Sequence, residues 1–459
     1  MIGTSNTFAH KHKADATYLD VAANDHGREK GMLVDRALAR VAEPDPRVVE
    51  IGPGGGAAVA YLASRLQERS RSIHLTLIEA PGIASRSLTQ AMDQFNAVGT
   101  CDLVRGWAQD IAALVTEPVD VISASALLHE VYSYGGAYGG LHTMMRTFPA
   151  VLKPYGFLVY RDVYAVDAAS LHERAVQSYS SKSWLQFLRM FLPHYLRHGT
   201  HPYHHHDDEV VVRQNSRIVP AAELDTRVCA IIGAPIGLFR EVQRHYITLR
   251  DHVWRSGALG FLPILDGQLS GDWIDFRIGH KRVHFAFADS SLMTAGERTN
   301  IQAVSEPYGD HHVIDGDIFD AVTDVALQGF LTAVERGDGD CAQVWSTWLE
   351  REGRETYAYL TSDELLTAFA VNSAETEAAT PTVLLPVQPS DVFVRERHYY
   401  NRFLGKRLAN PLTDAKQMAL FQNIPITDSD ALQQALTTIR QHCSKPHLAR
   451  IHTAIHTRG

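Results

Sequence analysis

A doubly wound, parallel α/β sheet is the fold class this sequence predicts, on three observations. Val48-Val49-Glu50-Ile51 runs into the glycine turn Gly52-Pro53-Gly54-Gly55-Gly56, and a helical pattern follows from Ala57 through Leu66. Apolar runs of strand length recur at Ile73–Ile78, Val119–Ser125 and Phe157–Asp162. Helical patterns separate them, and that alternation implies βαβ units with helices on both faces of the sheet. A strand, a glycine turn and a helix in that order also signal a nucleotide-like ligand. Glycines permit positive φ and close approach to the backbone, and the first N–H groups of the helix face the turn.

The elements follow in order. Residues 1–14 are polar and read as loosely attached. From Asp15 to Val41, the positions Tyr18, Val21, Met32, Leu33, Ala37 and Leu38 predict two helical segments, so residues 1–44 form a helical lead-in over the cleft. The second strand ends in Glu79, about 27 residues past the glycine turn, which suits one βαβ unit. A carboxylate there accepts both hydrogen bonds of a ribose diol. Leu103–Asp110 is a short strand and turn, and Val119–Ser125 is a fourth strand leading into Leu127-Leu128-His129-Glu130-Val131. A helix from Leu141 to Leu152 is broken by Lys153-Pro154-Tyr155-Gly156, and Phe157–Asp162 is the fifth strand.

Composition narrows the function. The 459 residues are 45% hydrophobic and 21% charged, as expected of a globular chain with a real core. A net charge of −9 argues against a broad nucleic-acid surface. The four cysteines form no CxxC pair, and a reduced, cytoplasmic protein is the plain reading. The first 16 residues lack the apolar core of a signal peptide, and no apolar run is long enough to span a membrane.

The order VEIGPGGG, LIEAPG, GWAQDI, DVISASALLHEV and LKPYGFLVYRD resembles the class I S-adenosylmethionine-dependent methyltransferases. The resemblance covers residues 45–165 and implies a Rossmann-like core that binds S-adenosylmethionine and releases S-adenosylhomocysteine. It implies that Glu50, Gly52, Gly54 and Gly56 surround the methionine part, that Glu79 holds the ribose, and that Ala108 and Gln109 sit by the adenine, with Ser125 also at the cofactor. Many relatives carry an acid where this chain has Trp107, so Asp110 is a candidate for that polar role.

Beyond the fifth strand, helical stretches at Trp184–Tyr195, Val242–Trp254 and Ile318–Val334 suggest a large, mostly helical insertion or additional domain, residues 166–350, over the acceptor. Tyr357–Leu366, with a Thr/Ser cap and acidic first turn, resembles the family's closing helix. Ala374–Leu385 and Val392–Tyr400 could be the final strands, which makes residues 351–405 the closing part of the core. Residues 406–459 read as packing or dimerisation helices at Ala409–Phe421, Asp428–Cys443 and Pro446–His456, so a homodimer is one expectation. A separate C-terminal domain from about residue 170 is the alternative.

Methyl transfer needs an aligned acceptor and, for a hydroxyl or ammonium, a base. The resemblance gives His129 that role, as in plant phenol-type O-methyltransferases, with Glu130 beside it; the alternative is that His129 only shapes the pocket. Tyr132, Tyr134 and Tyr138 lie in the glycine-rich VYSYGGAYGG and either line the acceptor site, bind the sulfonium by cation–π contact, or pack the loop. His245, on a helix with Arg244, Arg250, His252 and Arg255, either contacts an anionic acceptor or sits among salt bridges. The run His194, His198, His201, His204, His205, His206, Asp207, Asp208 has the composition of a metal site but no standard spacing, so no metal is expected. The resulting expectation is methyl transfer to a small-molecule acceptor, O- or N-linked. The rivals are an RNA or protein methyltransferase using a groove of Arg395, Arg397, Arg402, Lys406 and Arg407, an enzyme that cyclises the cofactor or transfers its aminocarboxypropyl group, and a binding subunit without activity.

Overall fold

The computed structural model describes residues 27–69, 71–163, 166–203, 209–264, 274–275, 282–376 and 380–457. The first lead-in segment around Tyr18 and Val21, the run from His204 to Asp208, and Trp273 lie outside them. The chain divides into two compact units. One takes residues up to 171, 356–396 and 415 onward, and the other takes 172–355 and 397–414.

The first unit opens with α1 (Gly27–Leu38), β1 (Arg47–Ile51), α2 (Ala57–Arg69), β2 (His74–Glu79), α3 (Arg86–Phe95) and β3 (Thr100–Arg105). Then come β4 (Val119–Ser125), α4 (Leu128–Tyr134), α5 (Ala137–Val151) and β5 (Leu152–Asp162). These five strands are parallel. β4 is buried at every position, which is why it reads as a continuous apolar run rather than an alternating one. β5 starts earlier than the sequence suggests. Lys153, Pro154 and Tyr155 lie inside it, at a register shift opposite Val119–Val121 that accommodates the proline.

The second unit is a mixture of helices and two antiparallel sheets. Its elements are β6 (Arg174–Tyr179), α6 (Lys182–His198), β7 (Val211–Gln214), β8 (Arg217–Ile218), β9 (Ala230–Pro235) and α7 (Ile236–Arg255). They continue as β10 (Phe261–Pro263), β11 (Ile274–Asp275), β12 (Arg282–Phe287), α8 (Ala295–Ala303), β13 (Ser305–Tyr308), β14 (His311–Asp315), α9 (Gly316–Glu335) and α10 (Gly339–Arg351). The three expected helices are α6, α7 and α9. One sheet runs β6-β9-β7-β8 and the other β10-β12-β14-β13, with β11 on β12. Trp184 stacks on Tyr246 at 3.8 Å, and Trp254 and Phe261 are buried with them in the unit's interior.

The return supplies α11 (Ser362–Ala374), β15 (Thr382–Leu385) and β16 (Val392–Glu396) to the first unit, and α12 (His398–Gly405) to the second. β17 (Ala415–Pro425), α13 (Ser429–Ile439) and α14 (Lys445–His456) then complete the first. Thr361 and Glu364 form a capping box at α11, and Asp428 caps α13. The main sheet has the order β15-β17-β5-β4-β1-β2-β3, with β16 also on β17. The helix expected over Ala409–Phe421 is therefore corrected to a strand, antiparallel between β5 and β15. Val392–Tyr400 is a strand only to Glu396.

Side chains alternate along the strands into two cores. Val48, Leu75, Leu77, Val121, Met418 and Leu420 face α1, α2 and α3. Val49, Ile51, Ile78, Ile122, Ala419 and Phe421 face α5, α11, α13 and α14. Every connection out of a parallel strand leaves from the edge where Ile51, Glu79, Ser125 and Asp162 end, and ligands in such sheets bind there.

Candidate active site

Gly52, Gly54 and Gly56 have φ of 68°, 56° and 78°, so the turn between β1 and α2 uses the left-handed region three times. The N–H of Gly52 donates to the Ile78 carbonyl at 2.9 Å, and Ser87 Oγ donates to the Gly55 carbonyl at 2.8 Å. The turn is thus tied to β2 on one side and α3 on the other. A Cβ on Gly56 would press on Leu88 and Ala91. Glycine is needed there for space as well as for φ.

Two carboxylates border this turn. Glu79 is 6% exposed and accepts the N–H groups of Ala80 at 2.9 Å and Gly54 at 3.3 Å. Glu50 is 2% exposed, and its Oε2 has no hydrogen-bond partner. Burial pushes Glu50 up to about 7, with Lys30 of α1 opposing and Glu79 reinforcing the shift. Lys30 reaches this region because α1 lies tightly along α2: a Cβ on Gly27 or Gly31 would overlap Ala57 or Tyr61. Glu29, also on α1, is buried against Arg161 at 2.7 Å, Lys416 at 2.9 Å and Arg395 at 2.8 Å. Burial would raise Glu29, but Arg161 and Lys416 outweigh it and hold its carboxyl down at about 2. Arg161 Nη1 also donates to Ser125 Oγ at 3.4 Å, at the end of β4. Ala108 is buried, and Gln109 is half-buried, in a short helical turn after β3. Trp107, half-buried, precedes them, and Asp110 is exposed.

His129 stands in the first turn of α4, three residues after Ala126, whose φ of 55° makes the sharp exit from β4. Its Nδ1 lies 2.7 Å from Asp162 Oδ1, and its backbone N–H donates to Asp162 Oδ2 at 3.1 Å. Val163 N–H donates to Oδ1 at 2.7 Å and Tyr359 OH to Oδ2 at 3.0 Å. Burial would raise Asp162, but His129 and the surrounding donors outweigh it and keep the carboxyl below its ordinary value. An ionised carboxylate only accepts, so Nδ1 carries the proton, and in the neutral form of the ring the lone pair lies on Nε2. Tyr357 packs on the ring at 5.3 Å. Glu130 is half-buried beside it.

Asp162, Tyr357 and Tyr359 are candidate-site residues, in contact with His129 or its carboxylate partner, that the sequence motifs did not mark. Asp162 had a readable signal: like Glu79, it is an acid at the last position of a strand.

Other expected residues lie elsewhere. Tyr132 is 2% exposed, edge-on to Tyr138 at 5.0 Å and stacked on Tyr359 at 5.4 Å, so it packs behind the dyad rather than lining an acceptor site. Tyr134 is half-buried at the end of α4. The expectation that His245 contacts the acceptor is corrected. It is fully buried in the second unit, its ring nitrogens 2.8 Å from the Glu241 carbonyl and 3.0 Å from the Glu352 carbonyl, and burial pushes it down to about 4. Its neighbour Arg250 pairs with Asp320 at 2.8 Å, which is the salt-bridge reading of that helix face. His194 and His198 lie ring to ring at 4.7 Å, and His201 bonds the Leu196 carbonyl and the Tyr203 N–H. Arg395, Arg397 and Lys406 are paired with Glu29, Asp414 and Asp317. Among the described residues, no helix is long and apolar enough to cross a membrane.

No family model matches the chain, and no curated protein does. Among solved structures it is similar to the S-adenosylmethionine-bound amino pentose methyltransferase CalS10 from Micromonospora echinaspora, at 18% identity over 33% of this chain and 60% of that one, TM-score 0.23. It is also similar to an O-methyltransferase family protein from Burkholderia thailandensis, at 16% identity over 49% and 61%, TM-score 0.27. A third is the CcbJ methyltransferase from Streptomyces caelestis, at 17% identity over 34% and 58%, TM-score 0.23. The chain thus spans about 60% of the length of these relatives, and the fold is assigned from its own strand order. With β17 antiparallel between β5 and β15 and the glycine turn after β1, the first unit has the Rossmann-like fold of the class I S-adenosylmethionine-dependent methyltransferases.

Proposed function

We propose that this protein transfers a methyl group from S-adenosylmethionine to a hydroxyl or amine of a small molecule, with His129 as the base. The supporting observation is the His129–Asp162 pair on the same strand edge as the glycine turn. The residues around that turn suit the cofactor. Three positive-φ glycines leave a cradle without side chains, Glu50 keeps an unpartnered buried oxygen for an ammonium, and Glu79 places a carboxylate, the group that accepts from a diol, beside them. When bound, S-adenosylmethionine supplies an activated methyl group and a thioether leaving group.

The protein's own part is alignment and one proton. Asp162 holds the imidazole with Nε2 as its basic atom. As the acceptor oxygen or nitrogen forms its new bond to carbon, its proton passes to Nε2, and the imidazolium is stabilised by the adjacent carboxylate. Glu130 is a second acid beside the reacting group. Incubating the protein with methyl-labelled cofactor and a metabolite extract, then identifying the labelled product, tests the reading. Label should enter a small molecule, and His129→Ala should lower the rate by about a hundredfold or more while cofactor still binds. No labelled product, or a fully active variant, would reject it.

A further inference from the structure

The carboxylate that orients His129 is itself held by a side chain that the sequence reaches 197 residues later. We propose that Tyr359 is a positioning residue for the His129–Asp162 pair, its hydroxyl fixing the carboxylate so that Oδ1 faces Nδ1 and the lone pair stays on Nε2. The inference rests on the reading of His129 as the base.

Asp162 has two oxygens and four donors. Oδ1 takes His129 Nδ1–H and the Val163 N–H, and Oδ2 takes the His129 N–H and Tyr359 OH. Apart from the imidazole, Tyr359 is the only side chain among these four. Without it, Oδ2 would keep one backbone donor in a site where the carboxylate is 1% exposed. A buried lone pair without a partner is costly, and rotating the carboxylate would be one way to relieve it. Burial, then the Asp162 charge, raise the Tyr359 phenol well above its ordinary value, so the hydroxyl keeps its proton and donates.

Tyr359 is also held firmly. It is 4% exposed and stacked on Tyr132, and its backbone carbonyl accepts from Tyr138 OH at 2.7 Å. Its single proton goes to Asp162, so Tyr160 OH, 3.4 Å away, must be the donor between the two phenols. The whole segment is tied to α4. Thr356 N–H donates to Ser133 Oγ at 2.8 Å, and that hydroxyl donates to the His129 carbonyl at 2.7 Å. The segment that closes the fold therefore carries a hydrogen bond into the base.

Tyr359→Phe removes the hydroxyl and keeps the ring. The measurement is the His129 imidazole by nitrogen-resolved NMR in the ligand-free protein, together with the pH profile of methyl transfer. Loss of the donor leaves the Asp162 charge less shared, so the His129 pKa should rise by about half a unit to one unit. The pH–rate profile should move the same way, and kcat should fall about tenfold at unchanged cofactor affinity. A folded variant with the wild-type pKa, tautomer and profile overturns the proposal. Should that variant not fold, Tyr160→Phe weakens the same chain one step back. It should raise the His129 pKa by roughly 0.2 unit, and no change would overturn the proposal equally. The NMR result decides the role of Tyr359 whether or not methyl is transferred, and the labelling experiment decides the reaction.

Discussion

The carboxyl ends of β1 and β5 each bury one acid, and the two are treated in opposite ways. Asp162 is 1% exposed and receives four donors, and it is held below the ordinary carboxylate range. Glu50 is 2% exposed with an unpartnered oxygen, and it is pushed up to about 7. Burial alone favours the neutral acid in both places. Donors supplied by the protein reverse that at β5, whereas at β1 Lys30 does not outweigh burial and Oε2 stays unpartnered. A carboxylate already ionised is useful for holding an imidazole. One with an unpartnered oxygen, where Lys30 does not offset burial, suits a cationic ligand that adds charge.

The contrast is broken most directly at β5. Asp162→Asn places an amide where an ionised acceptor is needed, freeing the imidazole to take the wrong tautomer. Methyl transfer, followed with labelled cofactor, should fall by about a thousandfold to ten-thousandfold while cofactor affinity holds. A loss below tenfold would mean that the two ends do not differ in the way described. Next in size is Glu79→Ala. It removes charge-assisted bonds worth about 1.5–3 kcal/mol each, so the calorimetric Kd for the cofactor should weaken roughly tenfold to a hundredfold.

Glu50→Gln sharpens the contrast without any substrate. A folded-state pKa of about 7 against 4.5 means that the folded chain holds this proton longer than the unfolded one. Stability from this group is complete below pH 4.5 and is lost as pH rises through about 7. The variant should therefore match the wild type at pH 4 and melt a few degrees higher at pH 8 by calorimetry. Glu29 has the opposite sign. Its pKa of about 2 gives stability that is complete above 4.5 and is lost as pH falls through 2. Glu29→Gln leaves Arg161 and Lys416 buried without their carboxylate, so it should lower Tm by several degrees at pH 7, and the gap should close on acidification.

The β1 half of this contrast was legible in the sequence, and much of the β5 half was not. The glycine turn, Glu79 and His129 are local signals, each readable within one strand and the turn after it. Asp162 meets His129 across 33 residues and Tyr359 across 197, and no periodicity links positions so far apart. β17 was hidden for another reason. Nearly every residue in it is buried, so it shows no alternation, and Ala415, Lys416, Gln417, Met418 and Leu420 are all good helix formers. His245 was misread because α7 is buried on nearly all sides, and its charged residues mark an interior network rather than a ligand face.

The position of β17 also bears on how the chain reaches this state. β5 pairs with a strand whose partner residues, such as Phe157 and Gln422, lie far apart in sequence. As the polypeptide is synthesised, β1 to β5 can assemble early, yet β5 remains an open edge until β17 arrives. An exposed apolar edge invites pairing with other chains. A fragment ending near residue 171 should therefore aggregate even though it holds the whole glycine turn, and neither unit can be excised as a single continuous piece. Expression of the intact polypeptide, with the long-range β5–β17 pairing as a slow closing step, follows from this one strand.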